Sequence, residues 1–166
     1  ILSGLHKLAG GGQHGPQKQA VTFKKYNRNQ GMYRVSKTVS FCYGHRLINY
    51  QGKCRHLHGH NARAVITLES DCLDERGMVE DFTAVKQLVW EWLESEIDHT
   101  LLLHKDDPVL PVLQAAGERV TVTQKNPTAE HIARMIFDYV AGKGFPVTAV
   151  SLWETETSSA SYRPKA

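Results

Sequence analysis

Cys54-Arg55-His56-Leu57-His58-Gly59-His60 decides the reading of this chain, because it packs three of nine histidines into five residues. Side chains two apart on an extended segment point to the same face. His58 and His60 can therefore reach one ion, as His56 can in principle, and Gly59 leaves room for the ion or a neighbouring backbone. A third ligand lies upstream: His45, in Phe41-Cys42-Tyr43-Gly44-His45-Arg46-Leu47, at the end of the preceding strand. Three neutral imidazoles with one open position are the pattern of a catalytic zinc. The competing reading is a run of surface histidines. Cys54 keeps two chemical meanings at this point. As a fourth ligand it closes a structural zinc site; beside the zinc it is a thiol of depressed pKa, usable as base or nucleophile, with Lys53 and Arg55 favouring the thiolate. Cys42 and Cys72 read as small buried residues.

Outward from this stretch, Ala20 to Tyr26, Tyr33 to Cys42 and Asn61 to Glu69 favour strands. In the last, Ala62, Ala64, Ile66 and Leu68 alternate with Arg63, Val65 and Thr67. Asp81 suits a helix N-cap, followed by Val85, Leu88, Val89, Trp92 and Leu93 at helical spacing. Arg119 to Thr123 is β-like. Asn126-Pro127-Thr128 opens a second helix with the stripe Ile132, Ile136, Tyr139 and Val140, stopped at Gly142 or Gly144. Val147 to Thr157 closes as a strand. This order predicts an α+β fold, a mostly antiparallel sheet packed on helices. Residues 1–19, with Gly10-Gly11-Gly12, read as a flexible N-terminal extension, and residues 20–166 as a single domain.

Three acids stand near plausible chemistry. Asp98-His99 follows the first helix; a carboxylate that orients an imidazole makes a competent proton donor, but adjacent residues need a turn to meet. His104 is a substitute partner. Glu130 lies at the second helix start, after Thr128. Glu154, in Trp153-Glu154-Thr155, can accept two parallel hydrogen bonds from an amidine-like ring edge if it faces a pocket; a solvent-facing strand residue is the alternative.

At 166 residues and 41% hydrophobic, the chain suits one globular domain. No run of about 20 apolar residues is present for a membrane helix, no signal peptide is expected, and three cysteines suit a reducing, cytoplasmic setting. The net charge of +3 hides an asymmetry: residues 1–68 carry eleven Lys/Arg and no acid, so the two parts hold +11 and −8. An anionic partner, or attraction between the halves within or between subunits, would follow. Nucleic acid is disfavoured by the lack of a Cys-x-x-Cys pair and of stacked aromatic motifs.

Taken in order, Phe41-x-x-x-His45-Arg46-Leu47, Cys54-x-x-x-His58-Gly59-His60, Gly77-Met78-Val79-x-Asp81-Phe82, Asp98-His99, Pro127-Thr128-x-Glu130 and Glu154-Thr155 resemble the 6-pyruvoyl-tetrahydropterin synthase superfamily. The likeness runs from about residue 33 to 163. It implies the tunnelling fold: an antiparallel four-stranded sheet with two helices on one face. Trimers of such subunits join their sheets into a barrel, and two trimers make a homohexamer with active sites between subunits. The resemblance makes His45, His58 and His60 the Zn2+ ligands and Cys54 the catalytic thiol. It makes Asp98 and His99 an acid/base pair contributed across an interface, and Glu154 the pterin anchor with Thr128 and Glu130 near the ring. The sequence departs from the family pattern at Cys42-Tyr43-Gly44, where small Ser/Ala residues are usual, and at Thr100-Leu101-Leu102-Leu103.

Within the superfamily, the three-residue spacer Arg55-His56-Leu57 is like that of the bacterial 6-carboxy-tetrahydropterin synthases of queuosine (7-deazaguanine) biosynthesis. The implied reaction is a zinc-dependent lyase step. It turns 7,8-dihydroneopterin triphosphate into 6-carboxy-5,6,7,8-tetrahydropterin, acetaldehyde and triphosphate, with the triphosphate drawn to Arg46, Lys53, Arg55 and Arg63. The alternatives are 6-pyruvoyl-tetrahydropterin synthase, which eliminates triphosphate, and, from a different class, a noncatalytic structural zinc module.

Overall fold

Two long strands dominate the computed structural model, which describes residues 31–165. β1 (Tyr33–His45) and β2 (His58–Ser70) pair antiparallel without interruption from Tyr33↔Ser70 to His45↔His58. Strand alternation gives this ribbon two unlike faces. Val39, Phe41, Tyr43 and His45 share one face with Ala62, Ala64, Ile66 and Leu68, and all are buried. Ser36, Thr38, Ser40 and Arg63 take the other. The predicted strand at Ala20 to Tyr26 and the extension 1–19 lie outside the described residues.

Among the described residues there follow α1 (Phe82–Glu96), β3 (Thr100–His104), α2 (Leu110–Ala115), β4 (Val120–Thr123), α3 (Ala129–Gly142) and β5 (Val147–Trp153). A last strand, β6 (Ser159–Tyr162), and a 3-10 turn at Lys53–Arg55 join them. The resemblance implies four antiparallel strands, but among the described residues the sheet has six strands in the order β4-β3-β1-β2-β5-β6. β3 pairs parallel with β1, and β4, which occupies the segment read as β-like at Arg119 to Thr123, pairs parallel with β3. The sheet is therefore mixed, which corrects the four-stranded expectation. β3 escaped sequence reading because Thr-Leu-Leu-Leu-His shows no alternation. It is buried from both sides, with Leu102 and Leu103 fully inaccessible, so its pattern is a continuous apolar run. The strand expected over 147–157 stops at Trp153; residues 154–157 bend away, and β6, which no expectation covered, follows at Ser159–Tyr162.

α1 and α3 cover the apolar face. Asp81 caps α1, accepting from the Thr83 amide at 2.7 Å, and Val85, Val89 and Leu93 enter the core. Thr128 caps α3, accepting from the His131 amide at 3.3 Å; Ile132, Ala133, Ile136, Phe137 and Val140 enter from there. Each such cap contributes about 1 kcal/mol, and each fully buried Leu, Ile or Val about 1.5–3 kcal/mol. Trp92 and Tyr139 stack between the two helices at 4.9 Å. The sheet thus carries helices on one side, and the ends of β1 and β2 bring their histidines to the rim of that layer.

Candidate active site

Register builds the histidine cluster. His45 and His58 are directly paired at the end of the β1–β2 ribbon, so their side chains emerge on one face, and His60 follows two residues along on the same face. The close approach needs Gly59: a Cβ there would lie 2.9 Å from the Tyr43 carbonyl oxygen. The partner position is Gly44, whose added Cβ would meet the Leu101 side chain at 2.6 Å.

The tautomers follow from the partners. His45 Nδ1 lies 2.7 Å from the Pro127 carbonyl oxygen and His58 Nδ1 lies 2.9 Å from that of His56. A carbonyl only accepts, so both Nδ1 atoms donate, which leaves both Nε2 atoms as bare lone pairs. These face each other at 3.0 Å. His60 Nε2 is buried with no hydrogen-bond partner among the described residues. Burial drives the His45 imidazole below its ordinary pKa, against the raising effects of the Pro127 carbonyl and Glu154, so a proton is a poor occupant of the gap near neutrality. A divalent metal fits it: bonds of about 2.0–2.1 Å in tetrahedral geometry need nitrogens about 3.3 Å apart, with carbonyl-oriented rings behind them. The ligand atoms that converge within 4.8 Å are those of the three histidines; Cys54 is not among them. His56 turns its ring to the Arg55 guanidinium at 3.1 Å and serves the cluster through its carbonyl instead.

Cys54 stands on the 3-10 turn, half-buried, and the turn is fixed by the Leu47 amide donating to the Cys54 carbonyl at 2.9 Å. Asn126 clamps the same loop to the start of α3 with two hydrogen bonds to the Ile48 backbone, at 2.8 and 3.0 Å. Cys54, His45, Thr128, Glu130 and Glu154 all line one cavity of about 330 Å³. Glu154 follows β5, with one carboxylate oxygen 3.8 Å from His45 Nε2 and 4.0 Å from His60 Nε2.

Tyr43 is the site residue that sequence reading missed. Its buried hydroxyl donates to Glu154 at 2.6 Å. Burial, then the carboxylate it bonds, pushes the phenol well above its ordinary pKa, so it remains a donor. Its signal was present: Tyr43 alternates onto the His45 face, and a buried tyrosine hydroxyl needs a partner.

Asp98 and His99 do not line the Cys54 cavity. They border a larger open cleft of about 1100 Å³ with Cys42, Arg63 and Trp153, which Glu154 also borders. Strand alternation sets Cys42 on the opposite face to Tyr43 and His45. The turn these adjacent residues required is there: His99 has φ of 54°, a left-handed conformation that costs about 1–3 kcal/mol unless surrounding contacts enforce it. The His99 amide donates to the Cys42 carbonyl at 2.9 Å. The Cys42 amide donates to Asp98 Oδ1 at 2.9 Å, and His99 Nδ1 meets Asp98 Oδ2 at 2.7 Å. Burial raises the Asp98 pKa, but the Cys42 amide and His99 outweigh it and hold the carboxyl below its ordinary range. The His99 side chain remains 74% exposed. His104 lies by Asp106 instead, at 3.8 Å.

Two smaller expectations are corrected. Cys72 is exposed and Cys42 only half-buried, because Cys72 falls in the turn after β2 and Cys42 faces away from the helices. Arg46 is committed to the buried Asp107, 3.2 Å away though off hydrogen-bonding alignment, and is not a free cation for a triphosphate. Arg63 lies over the Trp153 ring at 5.7 Å, on the Asp98–His99 cleft.

A mixed sheet backed by two helices, with three histidine nitrogens that could hold a metal converging at its rim beside a carboxylate-lined cavity, defines an α+β protein with a candidate active site. Residues 34–165 match the family described as 6-pyruvoyl tetrahydropterin synthase, and the chain belongs to that family. It is 35% identical over 131 residues to the 6-carboxy-5,6,7,8-tetrahydropterin synthase of Rickettsia conorii, covering 75% of this chain and 95% of that one. It is 32% identical to the protein of the same name from Aquifex aeolicus, covering 79% and 98%. The fold matches the 6-pyruvoyl tetrahydropterin synthase structure from Caenorhabditis elegans with a TM-score of 0.61 at 20% identity, covering 82% and 98%.

Proposed function

We propose that the chain is a zinc-dependent 6-carboxy-5,6,7,8-tetrahydropterin synthase of the queuosine pathway. It would convert 7,8-dihydroneopterin triphosphate and one water to 6-carboxy-5,6,7,8-tetrahydropterin, acetaldehyde and triphosphate. The observation that carries this reading is the meeting of Cys54, Glu154, Thr128 and Glu130 with His45 on one cavity, beside three converging imidazole nitrogens. The relatives' names and the three-residue spacer before His58 favour the carboxy product over 6-pyruvoyl-tetrahydropterin.

Zinc held by His45, His58 and His60 would supply Lewis acidity toward the substrate's side-chain hydroxyls. Glu154, held by the Tyr43 hydroxyl, accepts the N–H edge of the pterin and fixes the ring so that its side chain lies toward Cys54. The Cys54 thiolate takes a proton from that side chain. His99, oriented by Asp98, returns or removes protons as the carbon skeleton breaks. Because the chain's own Asp98–His99 pair borders a different cleft from Cys54, this role calls for a second copy presenting its pair to the Cys54 cavity. A homohexamer would give that arrangement and cover the sheet edges at β4 and β6. Such an enzyme would work in the cytoplasm. No helix among the described residues is long and apolar enough to cross a membrane.

The test is Cys54→Ala. Turnover should vanish while bound zinc is retained; loss of zinc with the thiol would instead make Cys54 a ligand and the site structural.

A further inference from the structure

Cys42, Asp98 and His99 form a second gathering of metal-binding donors, separate from the three histidines. Their ligand atoms, one each of sulfur, oxygen and nitrogen, lie within 4.8 Å of one another. Backbone forces bring them together rather than chance exposure. The end of α1 is tied to β1 by the reciprocal bonds between Cys42 and the Asp98–His99 turn, and the left-handed His99 holds its ring against Asp98. Thiolate, imidazole and carboxylate are the donor types of a three-ligand zinc site with positions left open. What now bridges Asp98 and His99 is a proton, at 2.7 Å.

We propose that Cys42, Asp98 and His99 are a second, weaker site for a divalent metal of the zinc type, and that filling it inhibits the enzyme. Binding releases the Cys42 thiol proton and replaces the proton shared by Asp98 and His99. The site is the weaker one because that proton competes and because the His99 ring is 74% exposed, without the carbonyl-fixed orientation of His45 and His58. Its inhibitory effect rests on the function proposed above, since metal on His99 removes the group that moves protons; its occupancy does not.

The test is a cobalt titration of the full chain in its native assembly. Wild type should take up two equivalents per chain, the later one with a sulfur-to-cobalt absorption. Cys42→Ala and His99→Ala should each retain the first equivalent and lose the second with its band, while Cys54→Ala retains both. Cys42→Ser, which keeps a hydroxyl donor for Asp98, guards against misfolding and should behave as Cys42→Ala. Uptake of a single equivalent by wild type, or of two by the Cys42 variants, overturns the proposal. With excess zinc, wild-type turnover should fall at least tenfold and the Cys42→Ser turnover should not; equal inhibition of both also overturns it. A second equivalent lost as expected, in an enzyme without pterin turnover, leaves this metal site standing and refutes the proposed function alone.

Discussion

Tyr43→Phe isolates one hydrogen bond at the centre of the site. The phenyl ring keeps the packing against Phe41, 5.9 Å between centroids, so the change removes the hydroxyl and little else. That hydroxyl donates to Glu154 at 2.6 Å. A bond to a charged acceptor is worth about 1.5–3 kcal/mol. The Glu154 side chain is 21% exposed, and water can replace part of the loss, so about 1–1.5 kcal/mol is expected. For a chain of this size that lowers Tm by about 2–6 °C. The same loss frees the carboxylate that would hold the pterin edge, and about 1.4 kcal/mol is a tenfold change in affinity. KM for the pterin should rise about tenfold with kcat changed less. There is also a pH signature. The folded phenol has its pKa raised above its ordinary value of 10.0, so its contribution is present below pH 10 and declines as pH rises further. Wild type should lose stability above about pH 10, and Tyr43→Phe should lack that part of the slope. Differential scanning calorimetry over pH, paired with steady-state kinetics, reads all three. An unchanged KM alongside the lowered Tm would refute the role of Tyr43 in aiming Glu154; an unchanged Tm would refute the hydrogen bond's contribution as well.

Three further outcomes are expected. Chelation should lower Tm by about 5–15 °C, the equivalent of about 3–4 kcal/mol for a metal held at 100–1,000 times its Kd, and His58→Ala should start at the lower value and ignore the chelator. Gly59→Ala should cost about 1–3 kcal/mol and weaken metal binding about 10–100-fold, measured by competition with a metal indicator, because its methyl group presses on the Tyr43 carbonyl. Asp98→Asn should lower turnover by about 100-fold or more. Since the folded Asp98 carboxyl is held below its ordinary value of 3.8, its stabilisation is present above that pH and lost on acidification, so the variant should show a shallower loss of stability below about pH 4.

The histidine site was legible because its determinants are local. Period-two alternation places His58 and His60 together, and a thirteen-residue strand pair carries His45 to them without a register slip. Asp81 was legible as a helix cap because a cap is read from a few consecutive residues; the second start was legible only to within two residues, since Pro127 precedes the Thr128 cap and does not lie in the first turn. The parts that were not legible depend on partners distant in sequence. β3 is a strand only because β1 and β4 flank it; its Thr-Leu-Leu-Leu run has no strand pattern of its own. Tyr43 meets Glu154 across 111 residues, and Cys42 meets Asp98 across 56, so neither contact leaves a spacing to recognise. The acid-free first 68 residues gain a more specific meaning. Arg46 neutralises the buried Asp107 from the acidic half of the chain, and Arg34 pairs with Glu69 at the surface, so part of the basic excess is matched by acids of the same chain.

The central claim is tested most directly by incubating the zinc-loaded protein with 7,8-dihydroneopterin triphosphate and identifying the products. The account predicts 6-carboxy-5,6,7,8-tetrahydropterin and acetaldehyde in equal amounts, with triphosphate released. Triphosphate with 6-pyruvoyl-tetrahydropterin and no acetaldehyde would contradict the carboxy assignment, and an unchanged substrate would contradict the enzyme.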